Sequence, residues 1–148
     1  MNQRIRPLAL CVVRRPSDGA ILAAFGFDKV KQQRFYRPLG GEIEFGELAQ
    51  DAARREMLEE ISAEVTDLRL LGIFENLFTF LGEQGHELVW VYEGAFADPS
   101  LYEREVIECD EYGSKFEAHW VPLATFERGE LPLYPDGLWD LLSQGRKT

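Results

Sequence analysis

Three carboxylates crowd together near residue 60. In Arg55-Glu56-Met57-Leu58-Glu59-Glu60 they stand at positions i, i+3 and i+4, which share one face of an α-helix. At the helical period they fall within an arc of about 100°. Like charges so placed repel by roughly a few tenths of a kcal/mol per pair, and a helix C-terminus, carrying roughly half a negative charge, adds to the cost. Something positive is expected to offset this. Ala49, Ala52 and Ala53 lie in or beside the same arc and leave room for an approaching group, while Met57, Leu58 and Ile61 supply an apolar anchor elsewhere on the helix. The competing reading is a solvated face on which Arg54 and Arg55 form surface pairs. Two features favour a site: the carboxylates sit at the unfavourable helix end, and the glycine pair Gly40-Gly41, followed by "EIEFGE", lies just upstream. Carboxylates beside a backbone carbonyl are the oxygen ligands that Mg²⁺ accepts, usually together with water and substrate phosphate.

The segments around this helix must hold it in place. "IRPLALCVVRR" and "AILAAFGF", separated by "PSDG", read as a β-hairpin. "FYRPLGG" brings an aromatic strand to a proline and two glycines, and the helix is expected from about Glu47 to Glu60. "EVTDLRLLGIFENLFTF" and "HELVWVYEGAF", joined across "LGEQG", form a second, longer hairpin, giving at least five strands. Residues 98 to 115 read as a long acidic loop. "FEAHWVPLATF" returns to the sheet and starts a short helix. "YPDGLWDLLSQG" is a terminal helix with Asp136 near its start and Gly145 past its end. No repeat, linker or second domain is visible, so residues 1–148 are expected to form one domain.

Composition narrows the ligands. The chain has 26 acidic against 16 basic residues, a net charge of −10. That argues against a nucleic-acid polymer held by phosphate neutralisation and means that an anionic ligand needs a cation bridge. Cys11 and Cys109 have no Cys or His at metal-binding spacing, which points to reduced thiols and a cytoplasmic protein. The apolar run "PLALCVV" is too short to span a membrane and reads as a strand.

The stretch from Gly41 to Ala63 resembles the signature of the Nudix (MutT-like) hydrolases: Gly41, Glu47, Arg55-Glu56, Met57 and Glu59-Glu60 match at fixed spacing. The flanking strand order also suits that family's α/β fold, an α/β/α sandwich with a central mixed sheet. The resemblance implies that Glu56, Glu59 and Glu60 bind Mg²⁺, with Mn²⁺ as a substitute and the carbonyl of Gly40 as a further ligand. It implies that Arg55 orients Glu56. Glu47 maps to the first glutamate of the box and is expected to cap or brace the helix start. Gly40, Gly41 and Arg37 are expected at the cofactor-binding site. One position departs: Ser62 stands where the family has glycine, and a non-glycine residue there adds roughly 1 kcal/mol if the backbone is left-handed.

The implied activity is hydrolysis of a diphosphate linkage in a nucleoside diphosphate joined to another group, a sugar nucleotide or a nucleoside triphosphate. The alternative is a non-catalytic Nudix-fold nucleotide sensor, and a Nudix-like isomerase is a third reading. The proline or tyrosine that marks some substrate classes downstream of the box is missing from Thr79-Phe80-Leu81. The implied partner is a small nucleotide, with neither nucleic-acid polymer nor membrane, and a homodimer is left open. A general base is expected among Glu105, Glu108 and Glu111. His86 and His119 read as ordinary turn or sheet residues, and Trp90, Trp120 and Trp139 as core. Phe25, Tyr36 and Phe80 could stack a base, although strand aromatics usually face inward. Arg34, like Arg37, could meet phosphate or form an exposed pair.

Overall fold

The computed structural model of the chain describes residues 3–129 and 131–144. Its described elements are eight strands, three helices and a 3₁₀ turn. The strands are β1 (Ile5–Val13), β2 (Ile21–Asp28), β3 (Gln33–Arg37), β4 (Leu39–Glu42), β5 (Val65–Phe80), β6 (Glu83–Phe96), β7 (Val106–Glu111) and β8 (Ser114–Val121). Helix α1 spans Ala49–Ile61, α2 Ala124–Glu127 and α3 Leu138–Gln144. One sheet has the order β4-β1-β6-β5 and is mixed, because β1 runs parallel to β6 and antiparallel to β4; the other has the order β3-β2-β8-β7 and is antiparallel throughout.

Alternation along β1 builds two cores from one strand. Cys11 and Val13 pack with Met57 and Ile61 of α1 and with Ile107, Cys109 and Trp120 of the antiparallel sheet. Leu8, Leu10 and Val12 face the other way, against Val89, Val91, Phe126, Leu138 and Leu142. Helix α1 therefore covers one face of the mixed sheet while α2 and α3 lie on the other, the layering of an α/β/α sandwich.

Several expectations need correction. The first apolar pair is no hairpin ladder: β1 and β2 enter different sheets and share only the bridge between Arg14 and Ile21. The last six residues of β1 and the first three of β2 are buried on both faces, so these apolar runs carry no hint of which neighbour each takes. The turn of the long hairpin is Leu81-Gly82 alone, both with positive φ (51° and 80°), as a two-residue turn between twisted strands requires. Glu83, Gln84 and Gly85 belong to β6, where Gly85 lies opposite Phe78 and a Cβ would run into the Phe78 ring. The supposed acidic loop is mostly ordered: a 3₁₀ turn at Pro99–Glu103, then a β7–β8 hairpin turning at Tyr112-Gly113. Of the three tryptophans only Trp120 is buried, while Trp90 and Trp139 are partly buried at the edges of their clusters. His86 sits in β6 beside Glu75 at 3.0 Å and His119 in β8 beside Glu117 at 3.7 Å, both sheet positions. Asp136 precedes α3, and Gly145 lies outside the described residues.

Candidate active site

Helix α1 begins two residues later than the sequence suggests, after Leu48, which has no side-chain cap. Glu47 is spent elsewhere. Its carboxylate accepts from Nε and Nη2 of Arg55 at 2.8 and 3.0 Å, and from the Glu44 N–H at 3.1 Å, so it ties the loop to the middle of the helix. Arg55 is the expected positive group. Its Nη1 donates to Glu56 at 2.9 Å and Glu59 at 3.1 Å, and its Nη2 to the Glu42 carbonyl at 3.0 Å. A planar guanidinium serves several acceptors in fixed directions, which a lysine cannot do. Arg54, by contrast, stays on the surface, where it pairs with Asp51 and donates to the Gln50 amide oxygen.

The glycine pair lets β4 lie close to the carboxylates. Gly40 has φ of 151°, and a Cβ there would collide with the Ala9 carbonyl of β1. A Cβ on Gly41 would stand 2.5 Å from the Glu56 carboxyl carbon. Only glycine fits at either place. The Gly40 contact visible here runs through its N–H, which donates to Glu60 at 3.1 Å.

Glu56 and Glu60 are 5% and 4% exposed, and Glu59 is open to solvent. Burial raises the proton affinity of Glu60 to a pKa of about 8; repulsion from Glu111 and Glu56 adds to it, and the Gly40 N–H and Arg37 oppose it. Burial also raises Glu56, partly offset by Arg55. Arg55 holds Glu47 low. Of the three acidic candidates downstream, Glu111 alone bears on both buried glutamates. Strand alternation explains why: Ile107 and Cys109 are buried toward α1, and Glu111 continues that side, whereas Glu108 points away opposite Glu117 and Glu105 precedes the strand.

Among the described residues no group of three or more Asp, Glu, His or Cys side chains converges as a ready metal cage. The three glutamates are partnered separately, two by Arg55 and one by Gly40. The donor set nonetheless fits a hard divalent cation. Two buried carboxylates with raised proton affinity and a third negative charge beside them carry repulsion that an oxygen-bound cation would relieve.

Ser62 closes α1 in the left-handed conformation (φ 55°, ψ 33°). Its N–H donates to the Leu58 carbonyl at 3.0 Å, the 5→1 bond of a left-handed helix ending, and the Ala63 N–H donates to the Met57 carbonyl at 3.3 Å.

A cavity of about 410 Å³ opens between the two sheets. Arg37, which bears on Glu60, is also on its wall. Phe25 and Phe80 line it as well, each well exposed rather than packed inside, and Tyr36 meets the Phe25 ring edge-on at 5.5 Å. Arg34 is exposed and off the wall. The sequence reading missed Asp28, which is 2% exposed: its carboxylate accepts from the Val30 and Lys31 N–H groups of one hairpin and from the Leu81 N–H of the other, pinning the two hairpin tips together at one end of the cavity. An Asp before a turn is common, and nothing local reveals a partner 53 residues away.

These features are those of a phosphoric-anhydride hydrolase built on the Nudix scaffold. A family profile for the NUDIX domain matches residues 5–140, and the chain belongs to that family. Solved structures similar to it include a NUDIX hydrolase from Nitrosomonas europaea, with a TM-score of 0.64 and 15% identity over 97% of this chain and 89% of that one. A MutT NUDIX hydrolase from Burkholderia pseudomallei gives 0.63 and 20% identity over 96% and 98% of the two chains, and a MutT protein from Methanosarcina mazei Go1 gives 0.62 and 16% over 100% and 99%. At these identities the likeness speaks for the fold. A comparison with curated proteins finds no match.

Proposed function

We propose that the protein is a Mg²⁺-dependent pyrophosphohydrolase of small nucleotides, cleaving the diphosphate linkage of a nucleoside diphosphate joined to a further phosphate, a sugar or another group. The observation that carries this is the pair of buried, mutually repelling carboxylates Glu56 and Glu60, joined to an aromatic cavity through Arg37, which bears on Glu60 and lines the cavity. Glu56, Glu59 and Glu60 would hold the cation, with the Gly40 carbonyl as a further candidate ligand. Mg²⁺, or Mn²⁺ in its place, supplies neutralisation of the diphosphate and a lowered pKa for bound water.

The chain's own residues do the rest. Arg55 fixes the rotamer of Glu56 and, through Glu47, the loop that carries Gly41 toward the phosphates. Arg37 sits between cavity and carboxylates, where a guanidinium can take a phosphate oxygen. Glu111 is the residue assigned to accept the proton of the attacking water, since it faces the same carboxylates from β7. The cavity takes the nucleobase, its rings supplying stacking surface. Cys11 and Cys109 are both buried free thiols, which suits a reducing cytoplasm. The described residues contain no helix long and apolar enough to cross a membrane.

The test is a panel of nucleoside triphosphates, dinucleotides and sugar nucleotides incubated with Mg²⁺ in ¹⁸O-water, with products read by mass spectrometry. Wild type should release labelled phosphate-containing products, and Glu60→Gln should lose about 10²-fold or more in kcat. Nucleotide-dependent stabilisation without turnover of any compound would make the protein a sensor.

A further inference from the structure

The cavity floor carries a polar row that neither the hydrolytic chemistry nor the packing explains. Strand register sets it: Arg6 of β1 pairs with Glu87 of β6, and Glu87 with Asn76 of β5, so three polar side chains cross the mixed sheet side by side. The next row inward, Leu8, Val89 and Phe74, is apolar. All three polar residues line the cavity. Asn76 is 7% exposed and Glu87 5%, so what polar surface they keep is turned to the cavity. Arg6 Nη1 donates to Glu87 Oε2 at 3.3 Å and its Nε lies 3.5 Å from Glu42, linking the row to the strand whose carbonyl receives Arg55. Among the described residues no hydrogen bond reaches Glu87 Oε1 or the Asn76 amide, and because no buried side-chain N or O atom lacks a partner, these atoms are open to the cavity.

Two glycines shape the walls above this floor. The Phe35 ring lies over Gly26 on one sheet and the Phe78 ring over Gly85 on the other, each where a Cβ would collide with the ring. Aromatic surface thus faces the gap from both sheets, and Phe35 meets Phe80 edge-on at 6.0 Å across it. A flat ring entering between these walls presents its edge to Asn76 and Glu87.

We infer that Asn76 and Glu87 read the edge of the bound base and select guanine. This rests on the nucleotide reading above. A carboxylate only accepts, so it demands donors, and an amide donates and accepts. Guanine is the one common base whose pairing edge offers two adjacent donors, N1–H and the N2 amino group, to the two oxygens of Glu87, with O6 beside them for the Asn76 amide N–H. Adenine has one donor next to a lone pair at N1. Uracil and thymine have one N–H between two carbonyls, and cytosine one amino group beside two acceptors. Each of these sets a lone pair against the Glu87 carboxylate. Arg6 keeps Glu87 oriented without consuming Oε1.

The experiment is kcat/KM of the Mg²⁺-loaded wild-type protein for guanosine, inosine, adenosine and uridine nucleotides of one phosphate chain, then for Glu87→Gln and Asn76→Ala. Guanosine should exceed adenosine and uridine by about 10- to 100-fold, and inosine, which lacks only the N2 amino group, should fall between. Glu87→Gln should erase most of that ranking while the slower bases are still turned over. If the wild type hydrolyses all bases within about threefold of one another, the guanine assignment is wrong while the hydrolase reading stands. If no base is hydrolysed, saturation binding of guanosine and adenosine diphosphates decides: a guanosine preference keeps the edge-reading role in a sensor, and equal binding overturns it.

Discussion

The carboxylate end and the aromatic cavity adjoin, yet they are built in opposite ways. Every partner in the Arg55 network comes from residues 42 to 59: the end of β4, one loop and one helix. The cavity is assembled from Arg6, Asp28, Phe35, Asn76, Glu87 and Tyr134, scattered over five strands and the segment before α3. The first region is held by charge, with one guanidinium serving three carboxylates. The second is held by ring packing and by Asp28, which joins two hairpin tips through backbone N–H groups. On the proposed function, the metal chemistry sits on a short, locally built unit, and selectivity sits where single substitutions on different strands can reshape it.

Breaking each region separately sharpens this contrast. Arg55→Met should have the largest effect on stability, about 3 kcal/mol or more, because it leaves Glu47 and the buried Glu56 without their cation. Urea unfolding of the metal-free protein measures it, and a small change would mean that the carboxylates find other partners. Asp28→Ala should cost about 1–3 kcal/mol, since three N–H donors lose their acceptor. It should raise KM for nucleotides more than it lowers kcat, as expected if it loosens only the cavity. Ser62→Gly should have the smallest effect, a gain of about 1 kcal/mol with turnover unchanged, because glycine relieves the left-handed backbone.

The two regions also differ in how far they could be read from the chain. That the three glutamates share one helix face could be read from the 3.6-residue period alone, whereas the roles of Arg55, Glu47 and the glycine pair came from the resemblance to the Nudix signature, Glu47 and the glycines lying outside the helix. The conditional strain at Ser62 was visible only because the resembled signature has glycine there, and the left-handed backbone at Ser62 meets that condition. The hub role of Arg55 was only half visible: a helical period shows that it can reach Glu59, but its bond to the Glu42 carbonyl depends on how β4 returns. Glu111 could not be separated from Glu105 and Glu108 while residues 98 to 115 looked irregular. Once β7 is a strand, alternation separates it from both. Asn76 and Glu87 gave no signal, since a lone Asn and a lone Glu in strands rich in aromatics look like surface positions. Only the register of β5 on β6 joins them.

The central claim is that the buried glutamates exist to hold a divalent cation, and the melting temperature against pH, with and without Mg²⁺, tests it most directly. Without metal, the folded protein keeps a proton on Glu60 up to about pH 8 while the unfolded chain releases it near 4.5. Between those values the native state binds more protons, so stability should fall as pH rises through that window and level off above it. Mg²⁺ competes with that proton for the carboxylates, so the rise in Tm that it brings should be small at pH 5 and grow toward pH 8.5. In Glu60→Gln both the pH-dependent loss and most of the Mg²⁺ response should disappear. A wild-type Tm that ignores Mg²⁺ across this range, or a Mg²⁺ response unchanged in Glu60→Gln, would contradict the claim.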